Sequence, residues 1–387
     1  MMKIRSISDY VFYNSQRSSA SDIQKALIEA GYEASTGRVF DPGLSLGGRT
    51  GNFVNNDNQL SELDNLKTLI ALTEGRMSAL QAAINSLISV GDKDNADGTL
   101  TAFNKMLFAG TTDVTRETIQ KGAQSALDAF LSAINTQFNG DYVFGGTNQS
   151  APPLKHYKAN QDIQVPLTEA DGKTPRAPNN AQEAVADAFY KEFGFGMHDK
   201  DSTGNPKAAG ISKEAMEKFI NGRFDNLFKD PAWSKYFSNA KDGELNKRIS
   251  EHGELVDVSA SANEKGVRDA MKNLIMVAEF SNMGLKNDAQ DVLLDDARSN
   301  ADKSSANSTI TELISLASRL GSVEQRVKNA QGRVESKLGI LQKLRTAYIG
   351  IDTQEAASRL TQLQNMLQVS YEVTSHLSKL SLLNFLR

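Results

Sequence analysis

Cysteine is absent from the 387-residue chain, and histidine is rare, with four residues at positions 156, 198, 252 and 376. The missing thiols exclude disulfides, thiolate metal sites and cysteine nucleophiles. The histidines are too scattered to give a metal-ligand spacing. We therefore predict that the chain binds no metal or cofactor and is not an enzyme.

An excess of basic charge is also missing, because 43 basic side chains face 47 acidic ones and the formal net charge is -4. Nucleic-acid-binding domains usually carry a basic surface, so we predict no nucleic-acid partner. No window approaches the roughly 18 continuous apolar residues of a membrane span, and we predict no membrane insertion. Lys3 and Arg5 precede polar Ser6, Ser8 and Asp9 rather than an apolar stretch, which predicts that no signal peptide is cleaved.

Proline is scarce and unevenly placed: seven of the eight residues lie between positions 152 and 231, and the other is Pro42. Because proline breaks helix interiors, the stretches 43–151 and 232–387 are free to form long helices, whereas the middle is not. The sequence therefore predicts a mainly α protein. We expect an elongated helical rod or coiled-coil bundle built from both chain ends, with a small α+β insertion domain.

Apolar periodicity supports long helices on both sides of the middle region. Apolar residues recur at steps of three and four over 60–88, 115–138 and 305–347. The last run lasts about five heptads, which favours a coiled-coil-like seam. A further helix is predicted over 265–281, and the final one begins after Asp352 as its N-cap.

The middle region gives mixed signals. Residues 180–193 and 212–219 have helical spacing. Residues 162–167 and 254–259 alternate between polar and apolar side chains, which predicts strands. This mixture is why we predict a small α+β domain there.

Two motifs could bind ligands. Gly43–Thr50 matches the phosphate-binding loop template except that Arg49 replaces the lysine, but no buried strand precedes it. We favour a flexible connector between two helices, with a nucleotide site as the alternative. The acidic pairs 288/291 and 295/296 lack the glycine and glutamate of an EF-hand loop, so we interpret them as a solvated helix start or loop.

The two chain ends, residues 3–34 and 353–387, each carry an apolar stripe with helical spacing. A lone amphipathic helix of this length is only marginally stable in water, because most helical stability comes from burying the stripe. The ends are therefore expected to pack with each other or with other copies, and an ordinary intramolecular bundle is the alternative. The predicted assembly residues are Ile4, Ile7, Val11, Ile23, Leu27, Leu360, Leu363, Met366, Val369, Val373, Leu377, Leu380, Leu383 and Phe385.

The C-terminal stretch Asp352–Leu360, followed by Val369–Tyr371 and Ser381–Leu386, resembles the C-terminal end of bacterial flagellins. Ser35–Val39 and the following Asp41-Pro42 are similar to the N-terminal half of the same superfamily.

A second segment, Gly140–Thr147 with Ser150 and Pro152, resembles one in the hook–filament junction members of this superfamily. The residues that carry this likeness are Tyr142, Phe144, Gly145 and Gly146. Read locally, Gly140 and Asp141 would end the helix over 115–138, and Gly145-Gly146 would allow a tight turn into the insertion. A generic hairpin is the alternative reading.

The resemblance implies a non-enzymatic structural subunit of the bacterial flagellum, located outside the cell and self-associating into a ring at the hook–filament junction. Its implied partners are a neighbouring hook-associated junction protein, filament flagellin, an export chaperone and the flagellar type III apparatus. The alternatives are a filament flagellin, a cytoplasmic coiled-coil scaffold, and an enzyme that uses the middle domain.

The predicted domain division combines the placement of the prolines with this resemblance. Residues 1–42 with 349–387 would form the terminal assembly helices. Residues 43–150 with 265–348 would form a helical rod, and residues 151–264 an outer insertion domain.

Overall fold

The computed structural model describes residues 3–88, 98–108, 113–301 and 308–385. In these ranges the chain is mainly α, with two small antiparallel sheets of two strands each. The predicted fold class is confirmed. In chain order the elements are α1 (Lys3–Thr36), α2 (Pro42–Leu46), α3 (Thr50–Ile88), α4 (Thr99–Leu107), α5 (Asp113–Ile134), β1 (Gln137–Phe138), β2 (Asp141–Tyr142), α6 (Ala181–Phe193), α7 (Lys213–Phe219), α8 (Ala232–Tyr236), β3 (Asn246–Arg248), β4 (Leu255–Asp257), α9 (Lys265–Phe280), α10 (Asn287–Ala301), α11 (Thr309–Ile349) and α12 (Thr353–Phe385).

The chain forms two compact units. The terminal unit comprises Met1–Lys67 and Arg333–Arg387, and the central unit comprises Thr68–Gly332. Helices α3 and α11 contribute residues to both units.

In the terminal unit, the segments that follow α1 and precede α12 are joined by backbone hydrogen bonds. The amide of Val39 donates to the Ile349 carbonyl at 2.9 Å, and the amide of Ile351 donates to the Gly37 carbonyl at 3.1 Å. Asp352 accepts the amide of Gln354 at 2.8 Å, which confirms it as the N-cap of α12.

The connector Gly43–Thr50 is more regular than predicted. Asp41 caps the short helix α2 by accepting the amide of Leu44 at 3.0 Å, and Pro42 occupies the first helical turn, where its missing N–H costs nothing. A 3₁₀ turn over Gly47–Arg49 then leads directly into α3. The connector joins two helices, as expected, but it contains a helix of its own.

The predicted apolar stripes of the central unit are buried, as the spacing of three and four requires. On α3 the stripe runs from Ile70 through Met77, Leu80 and Ile84 to Leu87. The predicted stripes of α5 and of the first half of α11 are buried in the same way, apart from half-buried Val323. Gln81 of α3 fixes the register by donating its amide to the Ala317 carbonyl of α11 at 2.9 Å.

The prediction that α5 continues to residue 138 was wrong, because the helix ends at Ile134. Phe138 continues the spacing of four, but Asn139 and Gly140 both have positive φ angles and form the turn of a hairpin between β1 and β2. An Asn-Gly pair is the preferred sequence for such a turn. Phe138 instead packs beside Gly75 of α3, where any Cβ would overlap the Phe138 ring.

The middle region 151–264 is a mixture of short helices and one small sheet. Helices α6 and α7 begin where predicted, capped by the side chains of Asn180 and Ser212. The strand expected over 254–259 is present as β4, paired with β3. The strand expected over 162–167 is not present in the described residues, since Pro166 has no N–H to give a ladder.

Aromatic side chains build the core of this region. Phe189, Phe219 and Phe224 surround Phe280 at the end of α9, with ring centroids 5.3–5.9 Å apart. Trp233, the single tryptophan, is fully buried. It stacks on Phe237 at 5.6 Å, and its indole nitrogen donates to Asn263 Oδ1 at 2.7 Å.

Candidate assembly surface

Helices α1 and α12 pack along their length as an antiparallel pair in the terminal unit. Gln24 of α1 donates to the Tyr371 hydroxyl at 2.7 Å, and nine residues later Glu33 lies 4.0 Å from Arg359. Small residues allow the two backbones to approach closely. Ala30 is buried on α1, and a Cβ at Gly31 would lie 3.9 Å from Leu360.

The side of α12 that faces α1 carries an apolar stripe, which we call the seam. Ala356 is buried, and Leu360, Leu363 and Leu367 follow at steps of four, three and four, each half-buried. On α1, Ile23, Leu27 and Ala34 are half-buried at matching spacing. The seam excludes water only in part, because one helix covers it from one side.

A second apolar stripe on α12 is not covered. Met366 is 55% exposed, Val369 57% and Val373 39%. At about 100° per residue these three side chains lie roughly a quarter turn or more from the seam. We call them the ridge. Contiguous exposed apolar side chains on one helix face indicate an interaction surface.

The other flank of the seam carries a shallow groove of about 430 Å³. Leu27 of α1 and Leu367 and Tyr371 of α12 give it an apolar floor, while Gln364, Gln368 and Glu372 give it a polar edge. Helix α12 thus has a ridge on one side and a groove on the other.

The predicted assembly residues fall into three groups. Ile23, Leu27, Leu360 and Leu363 lie at the seam, and Met366, Val369 and Val373 form the ridge. Val11 on α1 is exposed. For the rest the structure describes the helical backbone but not the side chain: Ile4, Ile7, Leu377, Leu380, Leu383 and Phe385. The assembly role of all of these residues remains a prediction.

Sequence reasoning missed Gln24 and Tyr371, which form a hydrogen bond between the helices. Both are polar or amphipathic residues in an apolar pattern, so a search for stripes passes over them. Their spacing from Leu27 and Leu367, three and four residues, was the available signal.

The motif Tyr142–Gly146 forms a buried joint in the central unit. Gly146 has φ +61°, and a Cβ there would overlap the carbonyl oxygen of Lys241. The Gly146 amide donates to the Ala260 carbonyl at 2.9 Å, and the Lys241 amide donates to the Gly145 carbonyl at 3.1 Å. These bonds tie the motif to both ends of the 240–260 segment. The positive φ of Gly146 and its close approach to the Lys241 carbonyl require glycine at this position.

An arginine supports the joint from α3. Arg76 is buried and donates from Nη2 to the Val143 carbonyl at 3.0 Å. Burial lowers the pKa of Arg76, and the negative charge of Asp141 acts in the opposite direction. The hairpin β1–β2 and the motif are therefore held on the surface of α3 by Gly75 and Arg76.

The motifs considered for ligand binding do not come together as a site. All four histidines are exposed on the surface. Both acidic pairs lie on α10, where Asp295 pairs with Arg298 at 3.1 Å. Within the part of the chain that the structure describes, no three histidine or acidic side chains are placed to hold a metal ion. No helix in the same ranges has the length and apolar character needed to cross a membrane.

Comparison with known proteins places this arrangement in a family. Residues 7–149 match the bacterial flagellin N-terminal helical region, and residues 304–386 match the bacterial flagellin C-terminal helical region. Together these matches cover more than half of the chain. They include helices α3 and α11, both seam helices almost entirely, and the buried joint.

The fold and the matched regions thus define a helical structural subunit of the bacterial flagellum, the extracellular appendage that this family builds by self-association. The chain belongs to the bacterial flagellin family, which is a structural and non-enzymatic one.

Among solved structures, the chain is similar to one described as a flagellar hook-associated protein from Vibrio parahaemolyticus. The two are 11% identical, with a TM-score of 0.46, over 78% of this chain and 97% of the other. At that TM-score the likeness carries no argument about function. No curated protein sequence matches the chain.

Proposed function

We propose that this flagellin-family subunit works at the junction between hook and filament. Two sequence features favour the junction over the filament: the segment Tyr142–Pro152 and the early pattern Ser35–Pro42. The subunit is exported by the flagellar type III apparatus with a chaperone. It forms a ring that contacts a second hook-associated protein on one side and filament flagellin on the other.

The three-part division predicted from the sequence gives each part a role in this proposal. Residues 1–42 with 349–387 assemble, residues 43–150 with 265–348 form the rod, and residues 151–264 form the outer insertion.

The observation that supports assembly most directly is the exposed ridge beside a half-covered seam. Fully burying a side chain of this kind stabilises by roughly 1.5–3 kcal/mol. Met366, Val369 and Val373 retain much of that potential in a single copy, since each is 39–57% exposed. A neighbouring copy that covers the ridge buries the apolar side chains of α12 that α1 leaves exposed.

The ridge and the groove lie on opposite flanks of the seam, and this favours a directional contact. A two-fold dimer would bring the same patch of both copies together, whereas a contact between two different patches generates rings or filaments. We propose that the ridge of one copy packs into the groove of the next.

Cysteine cross-linking tests this arrangement. Because the chain contains no cysteine of its own, only the introduced thiols can form a disulfide. A mixture of the single variants Val369→Cys and Gln368→Cys should cross-link on oxidation in the assembled state. Neither variant alone should do so, and Asn365→Cys, exposed on the outer side of the same turn, serves as the matched control. Cross-linking of Val369→Cys with itself would instead indicate a two-fold contact and contradict the directional model.

Electron microscopy of cells that lack the protein distinguishes the junction from the filament. Hooks without filaments are expected for a junction subunit, with filaments restored by the full-length chain. Shortened or missing filaments on hooks that still carry their junction would contradict the junction role and favour a filament flagellin. A normal flagellum with the protein retained inside the cell would favour the cytoplasmic scaffold.

A further inference from the structure

A small cavity lies inside the central unit, where α4, α9 and the first turn of α11 meet. Its volume is about 10 Å³. This is close to the smallest volume that holds one water molecule. Apolar side chains from all three helices form most of its wall, but Asn104, Asn273 and Thr309 also line it.

Two of these polar side chains have an atom without a hydrogen-bond partner. Asn273 and Thr309 are each only 5% exposed. Asn273 Oδ1 and Thr309 Oγ1 are both buried and unpaired. Leaving such an atom unpaired costs about 1–3 kcal/mol, so native interiors rarely leave two of them around one cavity.

Rearranging these side chains does not give the two buried atoms a hydrogen-bond partner without a new cost. The other end of the Asn273 amide, Nδ2, donates to the Ala297 carbonyl at 3.2 Å. Exchanging the amide oxygen and nitrogen would give the cavity a donor, but it would place two oxygens against each other at Ala297. Thr309 is not needed as a helix cap, because Ser308 fills that role by accepting the Thr311 amide at 3.2 Å.

We propose that this cavity binds a single ordered water molecule. The water donates a hydrogen bond to Asn273 Oδ1 and forms a second hydrogen bond with Thr309 Oγ1, and the Asn104 side chain completes its shell. A buried water of this kind typically makes two to four hydrogen bonds and is costly to remove.

The position of the water gives it a structural role. Asn104 belongs to the N-terminal flagellin region, Thr309 begins the long helix of the C-terminal region, and Asn273 lies on the helix that leaves the insertion. One water therefore links the two halves of the flagellin fold to the exit of the insertion. It fixes where α11 starts relative to α4 and α9.

A crystal structure of the full chain at a resolution that places ordered waters is the direct test. We expect one water within about 2.7–3.2 Å of both Asn273 Oδ1 and Thr309 Oγ1. The Thr309→Val variant, which keeps the shape and removes the hydroxyl, should lose this water. A dry cavity in the unmodified protein, or a direct bond between Asn273 and Thr309, would overturn the proposal.

Stability gives an independent measure. Thr309→Val should raise the unfolding equilibrium constant about tenfold, as expected when buried polar groups lose a shared partner. The matched control Thr309→Ser keeps the hydroxyl and removes a methyl group, so it should change the constant less than Thr309→Val does. An effect of Thr309→Ser that equals or exceeds that of Thr309→Val would show that the methyl group matters at least as much as the hydroxyl, and would count against the water.

Discussion

The terminal helix pair and the central unit of this protein use the same apolar spacing but bury it to different extents. In the central unit, Met77, Leu80 and Ile84 of α3 are completely buried. On α12, by contrast, Ala356 is buried, Leu360 and Leu363 are half-buried and Met366 is exposed. Two helices packed along one seam cannot enclose a core. From this difference we expect the central unit to be stable by itself and the terminal pair to gain stability from further partners.

The largest expected difference between the two regions is in hydrogen exchange of the free monomer. Amides of α9, a helix with twelve buried residues, should exchange only through global unfolding. Amides in 1–30 and 360–387 should exchange at least a thousandfold faster, because ordering a helix costs about 1–2 kcal/mol per residue and a single seam barely offsets it. Mass spectrometry after pulse labelling measures both. Protection of the terminal helices equal to that of α9 would remove the basis for assembly-driven ordering.

The next largest effect should come from Gly146→Ala in the buried joint. The new Cβ would overlap the Lys241 carbonyl oxygen, and alanine strongly disfavours φ +61°. We expect a loss of about 3 kcal/mol or more in the free energy of unfolding, measured by urea titration with circular dichroism. The matched control is Gly332→Ala within α11, where nothing lies within 4 Å of the new Cβ. That variant should stabilise by about 0.5–1 kcal/mol, and similar losses in both variants would argue against a specific joint.

A smaller, pH-dependent effect is expected at Glu279, which is buried at the end of α9. Its carboxylate accepts the Tyr157 hydroxyl at 2.6 Å and the Asn160 amide at 3.0 Å, and so holds the start of the insertion on the helix. Burial raises the pKa of Glu279 to about 7, and this outweighs the two donors, which lower it. Burial, together with the nearby Glu279 charge, also raises the pKa of Tyr157 well above its usual value.

The sign of the pH effect follows from proton binding. The folded state holds the Glu279 proton up to about pH 7, whereas the unfolded state releases it near 4.5. The free energy of unfolding should therefore fall by about 2–3 kcal/mol between pH 4.5 and pH 8. Glu279→Gln, which cannot ionise, should reduce this slope in urea titrations at the two pH values. An unchanged slope in the variant would show that other groups set the pH dependence.

The smallest effect on the monomer, and the largest on assembly, should come from the ridge. Replacing Met366 and Val369 with Asp changes two exposed side chains, so the free energy of unfolding should move by no more than about 0.5 kcal/mol each. Polymerisation or docking onto hooks should nevertheless be lost, as measured by sedimentation and electron microscopy. The matched control, Ser358→Asp with Asn365→Asp, adds the same charge at two exposed positions of the same helix that belong to neither the ridge nor the groove. Loss of assembly in the control as well would point to charge rather than to the ridge.

Periodicity was sufficient to predict the long helices, because their stripes at three and four residues are the residues that the fold buries. It could not predict where α5 ends, since Phe138 keeps the helical spacing while the Asn139-Gly140 turn takes the chain into a hairpin. It also could not tell which face of α12 is covered. That helix carries two apolar stripes, and only the position of α1 shows that Leu360 and Leu363 are at the seam while Met366 and Val369 are outside it.

The buried joint and the Tyr157–Glu279 contact could not be predicted from the sequence, for a different reason. Their partners are far apart in the chain, 122 residues for Tyr157 and Glu279, and none of these residues stands out in a local pattern. The glycines Gly145 and Gly146 were recognisable as a turn. What they turn against, the Lys241 carbonyl, depends on the path of the whole insertion.

The solitary indole of Trp233 has a practical consequence for studying the molecule. Excitation at the red edge of the protein absorption band selects tryptophan over tyrosine, so the emission arises from one buried ring next to Phe237 and Asn263. The tryptophan emission therefore reports on the central unit and not on the terminal helices. A dye attached to a cysteine introduced into α12 would give a second fluorescence signal, at another wavelength, that reports on the terminal helices. The two units could then be followed in one sample as subunits join.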